Sequence, residues 1–171
     1  MSDSLRKFIP YPDQRLRTIC TPVEKITEDI HAIWQDMMAA MYAMPGVGLA
    51  ANQIGILQRL AVVDCSEKKN EPVCMANPEI LQASIKSSEY SEASPNLPGV
   101  SAMIARPRAV TVGFMDQFGQ QVEHEIVGLW ATSVQHQIDH LNGKMYFDHL
   151  SPVKRKMLLA KAAKLARREA V

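Results

Sequence analysis

Apolar residues recur at three-to-four spacing along Ile30, Ile33, Trp34, Met37 and Met41, the stripe of an amphipathic helix with one buried face. Thr27 is placed as its N-cap, Glu28 and Asp29 complement the N-terminal dipole, and Pro45-Gly46 stops it. The methionines in this stripe read as core. Residues 11–23, with a proline near each end and no period, read as an irregular arm. Gly46 to Gly55 is a glycine- and alanine-rich turn leading into a short apolar strand, Leu60 to Asp64. Val73 to Leu81 predicts a second strand, broken at Asn77-Pro78 and therefore bulged or at an edge. Residues 84–101, rich in Ser, Pro and Gly, predict little regular structure. Ala109 to Met115 and Gln121 to Val127 flank Asp116-Gln117-Phe118-Gly119, a hairpin with turn chemistry at its tip. A second helix starts near Leu129 and ends at Asn142-Gly143. The last helix follows Ser151-Pro152, with Leu158, Leu159, Ala162, Leu165 and Ala166 on one arc and Lys154, Lys161, Lys164 and Arg168 on another. With no repeat or linker, the pattern predicts a single α+β domain over 1–171, its C-terminal helix lying in 151–171.

Composition narrows the class. A chain of 171 residues can bury a real core, and 47% hydrophobic with 22% charged residues is ordinary for a soluble globular protein. No apolar run approaches the roughly 18–20 residues of a membrane span. The opening Met1 to Pro10 has no signal-peptide apolar stretch. Three scattered cysteines without a CxxC pair argue against a disulfide framework and for a reducing, cytoplasmic setting. The net charge of +1 hides an asymmetry, because 151–171 holds seven Lys/Arg against one acid, Glu169. That basic segment reads either as a solvated helix face or as a contact for nucleic acid or another anionic surface. Oligomeric state is not legible.

His136-Gln137-Ile138-Asp139-His140 carries the most chemistry. Histidines four apart project from one helix face about one turn apart, the spacing at which two imidazoles hold one metal ion. They read equally as core histidines bound only by hydrogen bonds. In hydrolases with this device a glutamate follows the first histidine and moves the proton of the attacking water. Here the residue is Gln137, and an amide cannot take up a proton near neutral pH. Asp139 is expected to orient its neighbours. His31, His124 and His149 read as surface or structural, and Cys74 as a strand residue rather than a ligand.

Three ordered stretches carry a resemblance: Gly46-Val47-Gly48-Leu49-Ala50-Ala51-Asn52-Gln53, then Glu92-Ala93-Ser94-Pro95-Asn96-Leu97-Pro98-Gly99-Val100, then Gln135 to His140. Together they resemble the motifs of the peptide deformylase family, and the likeness runs from Tyr11 to Pro152. It implies antiparallel sheets around a central HxxxH helix, followed by a C-terminal helix. It implies removal of formyl from the N-terminal methionine of nascent proteins, with a divalent metal on two histidines and a cysteine. By position the histidines are His136 and His140, and the oxyanion-binding glutamine is Gln53. The cysteine position holds Ser94, a neutral hydroxyl and a poor ligand beside a thiolate. The next residue, Pro95, has no backbone N–H for the oxyanion, and the glutamate position holds Gln137. The methionine pocket would be formed by Val47, Gly48, Tyr90, Leu129, Thr132 and Ser133, more polar than an apolar slot favours. These substitutions predict a protein that kept the fold and lost deformylase activity, with no metal or a weakly bound Fe, Zn or Ni ion. Such a protein would bind protein N-termini or the ribosome. The alternative is a weak or altered metal-dependent hydrolase removing formyl from the N-terminal methionine of nascent peptides.

Overall fold

Thr27 caps the first helix as its position requires: its hydroxyl accepts a hydrogen bond from the Ile30 N–H at 3.3 Å, and α1 runs Glu28–Ala43. The computed structural model describes residues 5–171, so the N-terminal reading of Met1 to Ser4 lies outside the described residues. Ile30, Trp34, Met37 and Met41 are buried, and Ile33 is half-buried. They pack with Leu49, Leu60 and Val62, so α1 closes one end of a sheet.

Seven strands follow: β1 Gly48–Ala50, β2 Leu60–Val63, β3 Val73–Ala83, β4 Ser87–Glu92, β5 Ala102–Pro107, β6 Ala109–Met115 and β7 Gln121–Val127. Five form an antiparallel sheet in the order β1-β2-β3-β6-β7, and β4 pairs with β5 in a separate two-stranded sheet. Asn77 has φ +52 and marks a register shift against β6. The interruption at Asn77-Pro78 is thus a bulge, but β3 lies inside the sheet between β2 and β6, not at an edge. The bulge is stabilised from outside, because the Asn77 amide exchanges hydrogen bonds with the Val23 backbone at 2.7 Å each. Residues 84–101 are more regular than their composition predicts, since β4 lies within them. Its alternation is polar, Ser87 to Glu92, so no hydrophobic period announces it.

Helix α2, Gly128–Leu141, packs Ala131, Val134 and Ile138 on Val63, Val112 and Phe114 of the large sheet. Its C-terminal carbonyls, which no helical N–H can reach, are taken by distant groups. The Asn52 amide donates to His140 O (2.6 Å), Cys20 N to Leu141 O (2.9 Å), and Arg59 Nη1 to Leu141 O (3.0 Å). The arm before α1 is not wholly irregular, since Gln14–Arg17 forms a short 3₁₀ turn capped by Asp13, and it docks onto the end of the histidine helix. Helix α3, Pro152–Glu169, buries Leu158 and Ala162 and half-buries Leu159 and Leu165. Ala166, placed on the same arc by periodicity, is exposed because that arc leaves the body near the helix end. All seven Lys/Arg of α3 are exposed. No helix among the described residues is long and apolar enough to cross a membrane.

Gly143, just past α2, has φ +74, and a Cβ there would lie 2.5 Å from the Arg17 carbonyl oxygen. Left-handed strain of about 1–2 kcal/mol adds to this backbone clash. Gly143→Ala should lower the melting temperature by about 4–8 °C, at roughly 2–4 °C per kcal/mol for a chain of this size, measurable by thermal denaturation.

Candidate functional site

Gly128, with φ +65, turns β7 directly into α2, and at about 3.6 residues per turn His136 and His140, four apart, fall on one face. Their Nε2 atoms are 3.1 Å apart. Two nitrogens about 2.1 Å from one tetrahedral ion would be about 3.4 Å apart, so the pair is close to the spacing of a shared cation. His136 Nδ1 lies 2.8 Å from Glu92 Oε1. This donation from Nδ1 to the carboxylate turns Nε2 toward His140, the arrangement that supports metal-binding histidines. The Tyr146 ring stacks on His136, 6.1 Å between centroids. His140 is fully buried. Burial first, and then neighbouring His136, push its pKa well below the ordinary value, so it is held neutral. Its Nδ1 has no partner within the protein.

Behind the pair lies a buried ion network. Arg106 donates from Nε and Nη2 to the two oxygens of Glu92 (2.7 and 2.9 Å) and from Nη1 to Asp139 Oδ2 (2.8 Å). The Arg106 and Glu92 side chains are 4% and 5% exposed, so solvent hardly screens them. His149, on the surface, meets the same Asp139 oxygen at 2.7 Å. Burial pushes the Glu92 pKa up, but hydrogen bonds from His136 and Arg106 outweigh it and hold the carboxyl below its ordinary range. Asp139 is likewise held low, with the His149 hydrogen bond and the Arg106 charge overcoming burial. Asp139 thus orients its neighbours, as its position in the motif implies.

An open cavity of about 400 Å³ faces the pair. Val47, Gly48, Tyr90, Leu129, Thr132 and Ser133 line it, as do Gln53, Ser94, Pro95, His136 and Gln137. His140 stands behind His136, off the wall. The three sequence stretches, far apart in the chain, therefore converge on one space. Gln53 Oε1 accepts from Ala50 N (2.9 Å), which aims Nε2 at Asn96 Oδ1 (2.8 Å) and Ser94 Oγ (3.3 Å). The Ser94 hydroxyl donates to Asn96 Oδ1 at 3.0 Å. Gln137 Oε1 is buried without a partner. Gly48 makes room for the Gln137 amide, since a Cβ there would lie 2.5 Å from Nε2.

The residues present fit a cation held by two imidazoles, and Ser94, a neutral hydroxyl, lines the same cavity as His136. Among the described residues no cluster of three His, Cys, Asp or Glu side chains adds to that pair, so binding is expected to be weak. Sequence reasoning gave no role to Arg106, Asn96 or Tyr146. Glu92 was visible as a motif member, but its contact with His136 spans 44 positions and no local pattern encodes it.

An antiparallel sheet thus clasps an HxxxH helix whose two imidazoles meet beside an open cavity. The Polypeptide deformylase family matches residues 5–156, and the chain belongs to that family. It is 41% identical to the peptide deformylase of Methylocella silvestris, over 97% of this chain and 87% of that protein. It is 42% identical to that of Hydrogenovibrio crunogenus, over 92% of each. Among solved structures it resembles a peptide deformylase from Legionella pneumophila, with TM-score 0.90, 41% identity and 98% of each chain covered. It also resembles one from Ehrlichia chaffeensis in complex with actinonin, with TM-score 0.89, 32% identity, and 96% of this chain and 99% of that one covered. These relatives correct the expectation of a fold without catalysis. Identity of about 40% over nearly the full length to proteins named peptide deformylase aligns the chain with enzymes.

Removing Arg106 would leave buried Glu92 and half-buried Asp139 with only their histidine partners, His136 and His149. Arg106→Met should cost about 3–5 kcal/mol of folding stability, the usual effect of breaking a buried ion pair from one side, read by urea denaturation. The pH dependence has a definite sign. Glu92 and Asp139 titrate lower folded than unfolded, so below about pH 4 the unfolded chain binds more protons. The stability they contribute is complete above that range and is lost as pH falls through their folded values. Arg106→Met should flatten this acid limb.

Proposed function

We propose that the protein is a metal-dependent hydrolase with an altered site that removes the formyl group from the N-terminal methionine of nascent peptides. The observation that carries this reading is the His136–His140 pair, with Nε2 atoms 3.1 Å apart behind a cavity that also presents Gln53. A divalent cation on the two imidazoles would act as a Lewis acid toward the formyl oxygen and make water a better nucleophile.

The side chains supply the rest. Gln53 Nε2 has one strong hydrogen bond, to Asn96 Oδ1 at 2.8 Å, and one weak contact, to Ser94 Oγ at 3.3 Å. Exchanging the weak one for the formyl oxygen gives the oxyanion one fixed donor. Pro95 offers no N–H, so this donor works without a backbone partner at that position. Gln137 Oε1, buried and unpartnered, accepts a hydrogen bond from the attacking water and orients it. It cannot keep the proton, which passes to water in the open cavity; as the formyl C–N bond breaks to give formate, the departing amine takes its proton from that water. Ser94 brings no charge to the cation, so affinity is low and activity depends on added metal.

Formate release from a formyl-Met peptide tests this. Wild type should turn over slowly with added Zn²⁺ or Fe²⁺, and chelator or His136→Ala should abolish the activity. The double substitution Ser94→Cys with Gln137→Glu should raise turnover about 10²-fold or more by restoring a charged ligand and a proton carrier. Absence of metal-dependent formate release from wild type would refute the reading.

A further inference from the structure

Asn96 sits behind Gln53 and Ser94, off the cavity wall and 1% exposed, and its side chain is fully bonded. Nδ2 donates to Ile9 O (2.6 Å) and Gln53 O (3.0 Å), while Oδ1 accepts from Gln53 Nε2 (2.8 Å) and Ser94 Oγ (3.0 Å). A carboxamide has two N–H donors and two acceptor lone pairs, so every one is engaged. The network also fixes which way both amides face. The Asn96 nitrogen meets two backbone carbonyls, so its oxygen is the atom left to accept. The Gln53 oxygen meets Ala50 N at 2.9 Å, so its nitrogen is the atom left to donate.

The consequence falls on Gln53. Its carboxamide is held at both ends, by Ala50 N on Oε1 and by Asn96 Oδ1 on Nε2, and so does not pivot. One N–H of Nε2 belongs to Asn96. The other has only Ser94 Oγ, at 3.3 Å, and both Gln53 and Ser94 line the cavity. A donor fixed in advance stabilises a developing oxyanion without reorienting as the charge forms. Pro95 supplies no backbone N–H, so the direction of this one donor matters more than where two donors share the charge.

We propose that Asn96 is a positioning residue for the reaction. It holds the Gln53 amide so that the second N–H, resting weakly on Ser94, meets the formyl oxygen in one fixed direction. This deepens the formyl-peptide reading and rests on it. Standing off the cavity wall, Asn96 acts through Gln53 and not on the substrate. The competing role is purely structural, because Asn96 also docks the N-terminal arm. Ile9 O takes its amide, and Tyr11 N donates to Asn96 O at 2.8 Å.

Two readouts separate these roles. The first needs no turnover: hydrogen exchange of the two Gln53 Nε2 protons, followed by NMR and assigned by their loss in Gln53→Ala. In wild type the proton on Asn96 should exchange at least about tenfold more slowly than the one on Ser94. Asn96→Ala, or Asn96→Ser where the alanine variant folds poorly, should remove that difference. Equal exchange in wild type, or a difference that survives the substitution, would overturn the proposal. The second readout is formate release from a formyl-Met peptide with added Zn²⁺. Asn96→Ala should lower kcat about tenfold or more and leave KM within about twofold, because the oxyanion develops only in the transition state. Gln53→Ala should lower kcat about 10²-fold, and the double variant should be no slower than Gln53→Ala alone. A double variant in which the two losses multiply marks a role in folding alone and overturns the proposal, as does a loss carried by KM. The two readings fail separately. No formate release from wild type refutes the hydrolase, while the exchange readout still decides whether Asn96 holds Gln53. Release with Gln53 protons that Asn96→Ala leaves unchanged refutes the role of Asn96 alone.

Discussion

The site depends on one buried ion network. Arg106, from β5, holds Glu92 from β4 and Asp139 from α2 at 2.7–2.9 Å, so one guanidinium fastens the small sheet to the histidine helix. Glu92 in turn meets His136 Nδ1 at 2.8 Å and decides which ring nitrogen faces His140. Charges this deeply buried contribute little net stability when paired and cost much when one partner is lost. What the network contributes is orientation. Without it, two imidazoles four residues apart would share a helix face but not a defined lone-pair direction.

Magnitudes show how the proposed activity can survive three altered positions. Enzymes accelerate reactions by about 10⁶–10¹⁷-fold. Loss of a general base typically costs about 10²–10⁴ and loss of one oxyanion donor about 10²–10³. These penalties fall on one catalytic unit and do not multiply, so a large part of the acceleration can survive in the ligand pair, the remaining donor and the enclosing cavity. The error in inferring lost catalysis lay in treating each missing role as decisive. In the proposed reaction Gln137 and Ser94 would set how fast the site works and how tightly it holds a cation, while the frame around them matches that of the relatives.

Much of the frame was legible because it is written in periodicity. The stripe Ile30, Trp34, Met37, Met41 is buried as its spacing demands, and the β6–β7 hairpin pairs Ala109 with Val127 through Met115 with Gln121. β4 and β5 were not legible, because Ser87 to Glu92 alternates among polar residues and its sheet has only two strands. Arg106 was invisible for another reason: its partners lie 14 and 33 positions away, and no local spacing encodes them. The wall residues came together because motif positions fix them, but only coordinates show that Ser133 is satisfied by Val47 O and Thr132 is not.

The central claim is that the His136–His140 pair, oriented through Glu92, holds one divalent cation weakly. Calorimetric titration of Zn²⁺ into chelator-treated protein tests it most directly. One ion should bind per chain, and binding should disappear in His140→Ala and weaken about 10–100-fold in Glu92→Gln, the usual effect of disturbing a partner behind the ligands. No binding to wild type, or binding that His140→Ala leaves unchanged, would contradict the account.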